Sequence, residues 1–96
     1  METYVIHYNI NTLTAPTRMR SKEFTNLQRA QSYYNICRAD WYGKALKEYE
    51  ATTRHGNYAA KFSDYFAESK KPAPDVLFEF GGEIGWTRYW FSLEKV

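Results

Sequence analysis

The sequence predicts an α+β fold, with a four-stranded, mainly antiparallel sheet and helices packed on one of its faces. Three observations support this prediction. Segments with two-residue apolar periodicity stand near both ends of the chain, the middle has the three- and four-residue spacing of amphipathic helices, and only short turn-like stretches separate them. The predicted element order is ββαααββ, in one compact domain over residues 1–96.

The first two elements are predicted to be strands that form a hairpin. In residues 3–10 the side chains of Tyr4, Ile6 and Tyr8 fall on one face of an extended chain. Turn-like residues follow, and residues 17–24 predict a second strand with less apolar content. So short a connection favours antiparallel pairing of the two strands.

The middle of the chain predicts three helices. Thr25 and Gln28 have the spacing of a capping box, with Thr25 as the N-cap of the first helix. Glycine weakens a helix by about 1 kcal/mol, so we expect a bend or break near Gly43, followed by a second helix over residues 44–52. Residues 58–69 carry an apolar stripe at helical spacing and predict the third helix.

The last part of the chain predicts a linker and two strands. Prolines make residues 70–74 a stiff linker, because proline fixes φ and disfavours helix before it. Residues 75–80 predict a strand, and the glycines of residues 81–85 predict the turn that follows. Residues 86–95 alternate again and predict the last strand.

Aromatic residues dominate the apolar composition. The chain has eighteen Phe, Tyr and Trp residues against twelve Ile, Leu and Val residues. A small domain buries only roughly 60–65% of the surface that its unfolded chain exposes. We therefore expect a largely aromatic core and at least one aromatic cluster on the surface, where such clusters are enriched at interfaces.

Composition and charge bear on several classes of protein. No apolar run approaches the ~20 residues of a membrane-spanning helix, and the residues after Met1 lack the basic start and apolar segment of a signal peptide. The single cysteine, Cys37, allows no intramolecular disulfide, so we expect a reducing compartment, the cytoplasm. The net charge of +2 is too balanced to indicate nucleic-acid binding by itself.

The sequence shows no catalytic or metal-binding signature. His7, His55 and Cys37 are far apart and follow no recognised metal-ligand spacing. A nucleophilic pair of Cys37 with either histidine stays open, although Cys37 falls on the apolar side of its helix, which favours a buried role. The glycines of residues 81–85 lack the Lys and Ser/Thr of a phosphate-binding loop. We predict no enzymatic activity, no metal and no cofactor.

A row of cations marks the second predicted strand. Arg18, Arg20 and Lys22 alternate along the chain, so in a strand they point to one side at intervals of about 6.6–6.8 Å. Such a row suits the phosphates of a nucleic acid or an acidic protein surface. It equally suits an edge strand protected against sheet-to-sheet aggregation, and all three interpretations stay open.

The last predicted strand carries the residue types of a binding hot spot. Trp86, Arg88 and Trp90 share one face, and tryptophan and arginine are enriched among the residues that dominate protein interfaces. The alternative is that Arg88 stacks over the rings within the chain. The predicted partner-binding surface has six members, namely Trp86, Arg88, Trp90, Arg18, Arg20 and Lys22.

In size, aromatic content and lack of a catalytic signature, the chain resembles the small α+β proteins that phages and mobile elements encode to block host defence. The resemblance concerns the overall character of the chain and assigns no role to any residue. It implies a non-enzymatic inhibitor that occludes a surface of a larger protein or nucleoprotein complex. The alternative is a module that binds RNA or single-stranded nucleic acid through the basic strand and exposed aromatics. An exposed aromatic sheet face also leaves a homodimer open.

Overall fold

A computed structural model describes residues 2–14, 19–54 and 60–96 and confirms an α+β fold with an antiparallel sheet. The sheet has five strands in the order β2-β1-β5-β4-β3. Along the chain the elements are β1 (Tyr4–Asn11), β2 (Met19–Phe24), α1 (Leu27–Arg54), α2 (Phe62–Tyr65), β3 (Ala67–Ala73), β4 (Val76–Ile84) and β5 (Thr87–Lys95). The helices lie against one face of the sheet, and we call that face the covered face and the other the open face.

The prediction of four strands is wrong because residues 67–73 form an additional strand, β3. The helical stripe predicted for residues 58–69 survives only as α2, whose four residues end before Phe66. The chain then pairs with β4, with Ala67 opposite Gly81 and Lys70 opposite Phe78. The predicted stiff linker thus belongs mostly to an edge strand, where Pro72 needs no ladder partner for its missing N–H. The observed order is ββααβββ.

Helix α1 is continuous over 28 residues, so the predicted break near Gly43 is wrong. Packing on both sides of the glycine outweighs its intrinsic penalty of about 1 kcal/mol. Trp41 stacks on Tyr89 with ring centroids 4.2 Å apart, and Ala45 is fully buried. The cap also differs by one residue, because the backbone N–H of Arg29 donates to Oδ1 of Asn26, 3.2 Å away, rather than to Thr25.

The predicted turn over residues 81–85 is shorter than expected, because Gly81 and Gly82 lie inside β4. A Cβ at Gly82 would stand 2.0 Å from the carbonyl oxygen of Tyr65, so glycine is what lets α2 approach the sheet. The turn itself consists of Gly85 and Trp86, between the paired residues Ile84 and Thr87. Gly85 has a φ of 56°, which suits the first central position of a type II′ hairpin turn.

The core is aromatic, as the composition predicts, and it lies between α1 and the covered face. Phe80 is its centre, since its ring lies 4.7 Å from that of Phe91 and 5.3 Å from that of Tyr34. Two fully buried alanines of α1, Ala30 and Ala45, bring the helix close to the strands. The larger buried members of the core are Tyr4, Ile6, Tyr34, Phe66, Phe80, Tyr89, Phe91 and Leu93.

Candidate functional site

The tip of the β4–β5 hairpin presents one of the predicted site residues, Trp86, to solvent. Trp86 follows Gly85 in the two-residue turn, and its position beyond the last strand pair leaves it 81% exposed. Tyr42, the other exposed ring among the described residues, still packs against Phe62 and Phe66. The expected surface cluster of rings is therefore absent from the described part of the chain, and Trp86 stands as an isolated exposed indole.

Arg88 lies beside Trp86 on the open face. The strand register places Arg88 between Asn11 of β1 and Glu83 of β4. Its Nε donates to Oε1 of Glu83 over 2.7 Å, while 77% of its side chain remains exposed. The alternative from the sequence, a stack of Arg88 over the tryptophan rings, is not found among the described residues, whose cation–π pairs involve other cations.

Trp90 completes the row on the same face, between Asn9 of β1 and Gly81 of β4. It is half-buried. A Cβ at Gly81 would lie 3.3 Å from Cδ1 of Trp90, so the missing side chain gives the indole room against the strand. Glycine at position 81 thus allows the Trp90 indole to lie close to β4 on the open face.

Two adjacent grooves surround these three residues. The larger, which we call the Trp90 groove, has a volume of about 800 Å³. The smaller, the Trp86 groove, has about 370 Å³ and includes the exposed Leu13 of the β1–β2 loop. Asn11, Glu83 and Arg88 line both grooves, so the Glu83–Arg88 ion pair forms the wall between them. Trp86, Arg88 and Trp90 therefore belong to one continuous surface.

Polar groups line the Trp90 groove. Oδ1 of Asn9 is enclosed and accepts no hydrogen bond within the described structure, an arrangement that costs about 1–3 kcal/mol unless a donor arrives. The Tyr89 hydroxyl adds no donor to the groove, because that side chain lies on the covered face and donates to the carbonyl oxygen of Tyr65; its burial there raises the pKa of Tyr89 to about 12. Asp64 and Glu83 add carboxylates to the wall. The groove thus offers more acceptors than donors.

Sequence reasoning missed the polar part of this surface. From the sequence, Asn9 and Asn11 were interpreted as ordinary residues of a strand and a turn, and Glu83 was interpreted as part of a turn. Only the cross-strand register brings Asn9 beside Trp90 and Glu83 beside Arg88. The alternation of β1 did place Asn9 away from Ile6 and Tyr8, and that was the one available signal.

Arg20 and Lys22 lie on the covered face, opposite the tryptophan row. Both belong to the edge strand β2, where Lys22 pairs with the core residue Ile6 and Arg20 pairs with Tyr8. Nζ of Lys22 stands 4.4 Å from the ring centroid of Tyr33, so part of its charge is already engaged within the chain. Arg18 lies outside the described residues. A single flat partner cannot contact β2 on this face and the tryptophan row together.

The two faces of the sheet carry opposite charge at their paired positions. The open face has four glutamates, one arginine and one histidine, whereas the covered face has four basic residues and one glutamate. The open-face residues are Glu23, Glu79, Glu83, Glu94, Arg88 and His7, and the covered-face residues are Arg20, Lys22, Lys70, Lys95 and Glu68. The near-neutral chain therefore has a sheet whose charges are sorted by face.

The histidines and the cysteine considered from the sequence as catalytic or metal-binding residues are not brought together within the described part of the chain. His7 lies on the open face, where its Nε2 is 3.1 Å from Oε2 of Glu94, while Cys37 lies on α1 behind the covered face. Burial also raises the pKa of the Cys37 thiol, which reduces its thiolate fraction. His55 lies outside the described residues. Across the described ranges no three His, Cys, Asp or Glu side chains are grouped as metal ligands would be.

No helix within the described residues is both long and apolar enough to cross a membrane. Comparisons with protein families, with curated proteins and with solved structures each find no match to this chain.

Proposed function

We propose that this chain is a non-enzymatic binding protein that acts by occluding a surface of a larger protein or nucleoprotein complex. The observation that carries the proposal is the pair of Arg88 and Trp90 on the open face, adjoined at the hairpin tip by the isolated exposed indole of Trp86. A largely exposed tryptophan beside a half-buried one and an arginine has the composition of a binding hot spot. The single cysteine supports the cytoplasm as the place of action.

An inhibitor of the kind that phages and mobile elements encode against host defence is the form of this proposal that the character of the chain favours. Such a protein needs no active site of its own, because a rigid surface that fits its target is sufficient. The continuous surface of the Trp86 and Trp90 grooves rests on paired strands, which hold the side chains in a fixed register.

Affinity capture with matched variants tests the proposal. The immobilised chain is incubated with extract of the cell in which it acts, with and without nuclease, and bound proteins are quantified by mass spectrometry. We expect Trp86→Ala or Trp90→Ala to reduce capture of the specific partner roughly tenfold or more. The control, Arg20→Ala with Lys22→Ala, alters the opposite face and should retain capture. Equal capture by all variants would refute the assignment of the surface.

Self-association is checked on the same variants by sedimentation. A dimer that disappears in Trp86→Ala would mean that a second copy is the occupant of this surface, and the proposal of a foreign partner would then fail.

The second candidate function is binding of RNA or single-stranded nucleic acid. What favours it is the position of Arg20 and Lys22 on one side of an exposed edge strand, next to Tyr33. What opposes it on the open face is the excess of carboxylates there. The two candidates therefore use different faces and can be separated by mutation.

A salt titration tests the nucleic-acid candidate. Binding of a labelled single-stranded RNA should weaken steeply with salt, with a slope of about −0.7 for each phosphate neutralised. Lys22→Ala should reduce the magnitude of that slope by the amount expected for one phosphate contact. Arg88→Ala, on the open face, should leave the slope unchanged. An affinity that does not respond to salt would rule this function out.

A further inference from the structure

The Trp90 groove has the chemistry of a receptor for a guanidinium group, and we propose that it receives an arginine side chain of the partner. This inference rests on the proposed binding function and names the anchor by which the partner is held. The relevant features are an aromatic platform, an unpaired acceptor and an excess of negative charge in one groove.

The aromatic platform is the indole of Trp90. Because Gly81 has no side chain, the indole lies against strand β4 and remains half-buried. No ring contact engages Trp90 among the described residues, in contrast to Trp41, which stacks on Tyr89. A planar cation placed over an indole face is attracted by the ring quadrupole, and arginine is the cation found there most often.

The acceptors stand beside this platform. Oδ1 of Asn9 is enclosed and lacks a donor. Glu83 meets Arg88 through Oε1, and a carboxylate has lone pairs for about four hydrogen bonds, so its second oxygen has capacity for another donor. Asp64 of α2 also lines the groove and accepts from the backbone N–H of Lys61 through one oxygen. An incoming guanidinium has five donors for these acceptors.

The charge of the groove decides between a cation and an anion as its occupant. Its charged residues are Asp64, Glu83 and Arg88, so one negative charge remains after the Glu83–Arg88 pair is formed. Beyond the groove on the open face, Glu79 adds a carboxylate at the position next to the Gly81 and Trp90 pair. A carboxylate or phosphate brought to Arg88 would meet this excess, whereas a guanidinium would be attracted by it.

Titration of the isolated chain with N-acetyl-arginine amide tests the proposal. The shift of the Trp90 indole N–H is followed by ¹⁵N–¹H NMR, with N-acetyl-norleucine amide and N-acetyl-glutamate amide as reference probes. We expect a saturable shift with the arginine probe only. Absence of a shift, an equal shift with the norleucine probe, or a larger shift with the glutamate probe would each overturn the proposal.

Matched variants locate the probe. Glu83→Gln should weaken binding of the arginine probe at least roughly threefold, while Glu79→Gln, on the same face outside the groove, should change it less. Asn9→Leu removes the unpaired acceptor and should weaken binding as well, provided that its amide spectrum shows a folded chain. Equal effects of Glu83→Gln and Glu79→Gln would mean general attraction to the face and would refute a defined site.

The probe titration uses the chain alone, and the capture experiment uses a macromolecular partner. Capture that depends on Trp86 with no binding of the arginine probe would leave the binding function standing and remove only the guanidinium anchor. Binding of the arginine probe without any Trp86-dependent capture would leave the guanidinium site standing and would remove the proposed binding function.

Discussion

The two faces of the sheet are built on the same five strands, yet they differ in almost every other property. On the covered face most of the alternate residues of the central strands are aromatic, and they pack against α1 around Phe80. On the open face the centre is the small, fully buried Ser92, next to His7 and Glu94, with Trp90 and Arg88 towards one end. The difference indicates that the covered face supplies stability and that the open face is available for binding.

The charges follow the same division. Basic side chains of the covered face stand mainly at its margins, where Lys22 lies over Tyr33. Three of the four carboxylates of the open face lie on the middle strands β4 and β5, where Glu79 flanks Ser92, and the fourth, Glu23, lies on the edge strand β2. A net charge of +2 for the whole chain conceals this arrangement, because the two excesses nearly cancel.

The largest expected effect is the difference in unfolding free energy between a substitution in the core of the covered face and one at the exposed hairpin tip. Phe80→Ala removes a ring that is 1% exposed and contacts the rings of Tyr34, Phe66 and Phe91, so the free energy of unfolding should fall by about 3–5 kcal/mol. Trp86→Ala should change it by no more than about 0.5 kcal/mol, since the indole is largely exposed. Urea denaturation measures both. Comparable losses of unfolding free energy in the two variants would contradict the conclusion that the covered face supplies stability and the open face does not.

A smaller effect is expected at the adjacent glycines of β4, which face opposite sides. In Gly82→Ala the new methyl group would meet the backbone of Tyr65 at 2.0 Å, so α2 must shift, and the free energy of unfolding should fall by about 1–3 kcal/mol. Gly81→Ala meets the carbonyl oxygen of Tyr89 at 2.7 Å and should cost less, while displacing the Trp90 indole.

Gly43→Ala is the matched control for these glycine variants. A Cβ at Gly43 has no neighbour within 4 Å, and alanine favours the helix, so this variant should be more stable by about 0.5–1 kcal/mol. Thermal denaturation of the three variants measures their order of stability, which should rise from Gly82→Ala through Gly81→Ala to Gly43→Ala. If Gly82→Ala were as stable as Gly43→Ala, the close approach of α2 to the sheet would be disproved.

The smallest effect concerns the end of the sheet away from the grooves. Hydrogen bonds from Lys95 and from the Tyr4 hydroxyl, at 2.7 and 2.6 Å, hold the pKa of Glu2 below its ordinary value. A lowered folded-state pKa contributes stability above the unfolded pKa of about 4.3 and loses it as the pH falls through the folded value.

Lys95→Met should therefore raise the pKa of Glu2, and the variant should differ from the original chain in stability at neutral pH but not in strong acid. A ¹³C NMR titration of the Glu2 carboxyl group measures the pKa directly. An unchanged pKa in Lys95→Met would show that the Tyr4 hydroxyl alone accounts for the shift.

Local patterns were sufficient for much of the fold. The alternation in residues 3–10 and 86–95 predicted β1 and β5, and the spacing after residue 25 predicted the helical character of α1 but not its continuity, because side chains that bury one face of a regular element repeat at its period. The presence of Arg88 and Trp90 on one side of a strand followed from the same two-residue period, whereas Trp86, which was predicted to begin that strand, lies in the turn before it. The aromatic nature of the core followed from composition alone.

Only the tertiary structure decided which neighbours those elements have. Residues 67–73 became a strand because the edge of β4 offered backbone partners, and α1 stayed continuous at Gly43 because Trp41 and Ala45 pack on the sheet. The strand register set Glu83 and Asn9 beside the tryptophan row and put Arg20 and Lys22 on the opposite face. Each outcome depends on contacts between residues far apart in the chain, which a local pattern does not encode.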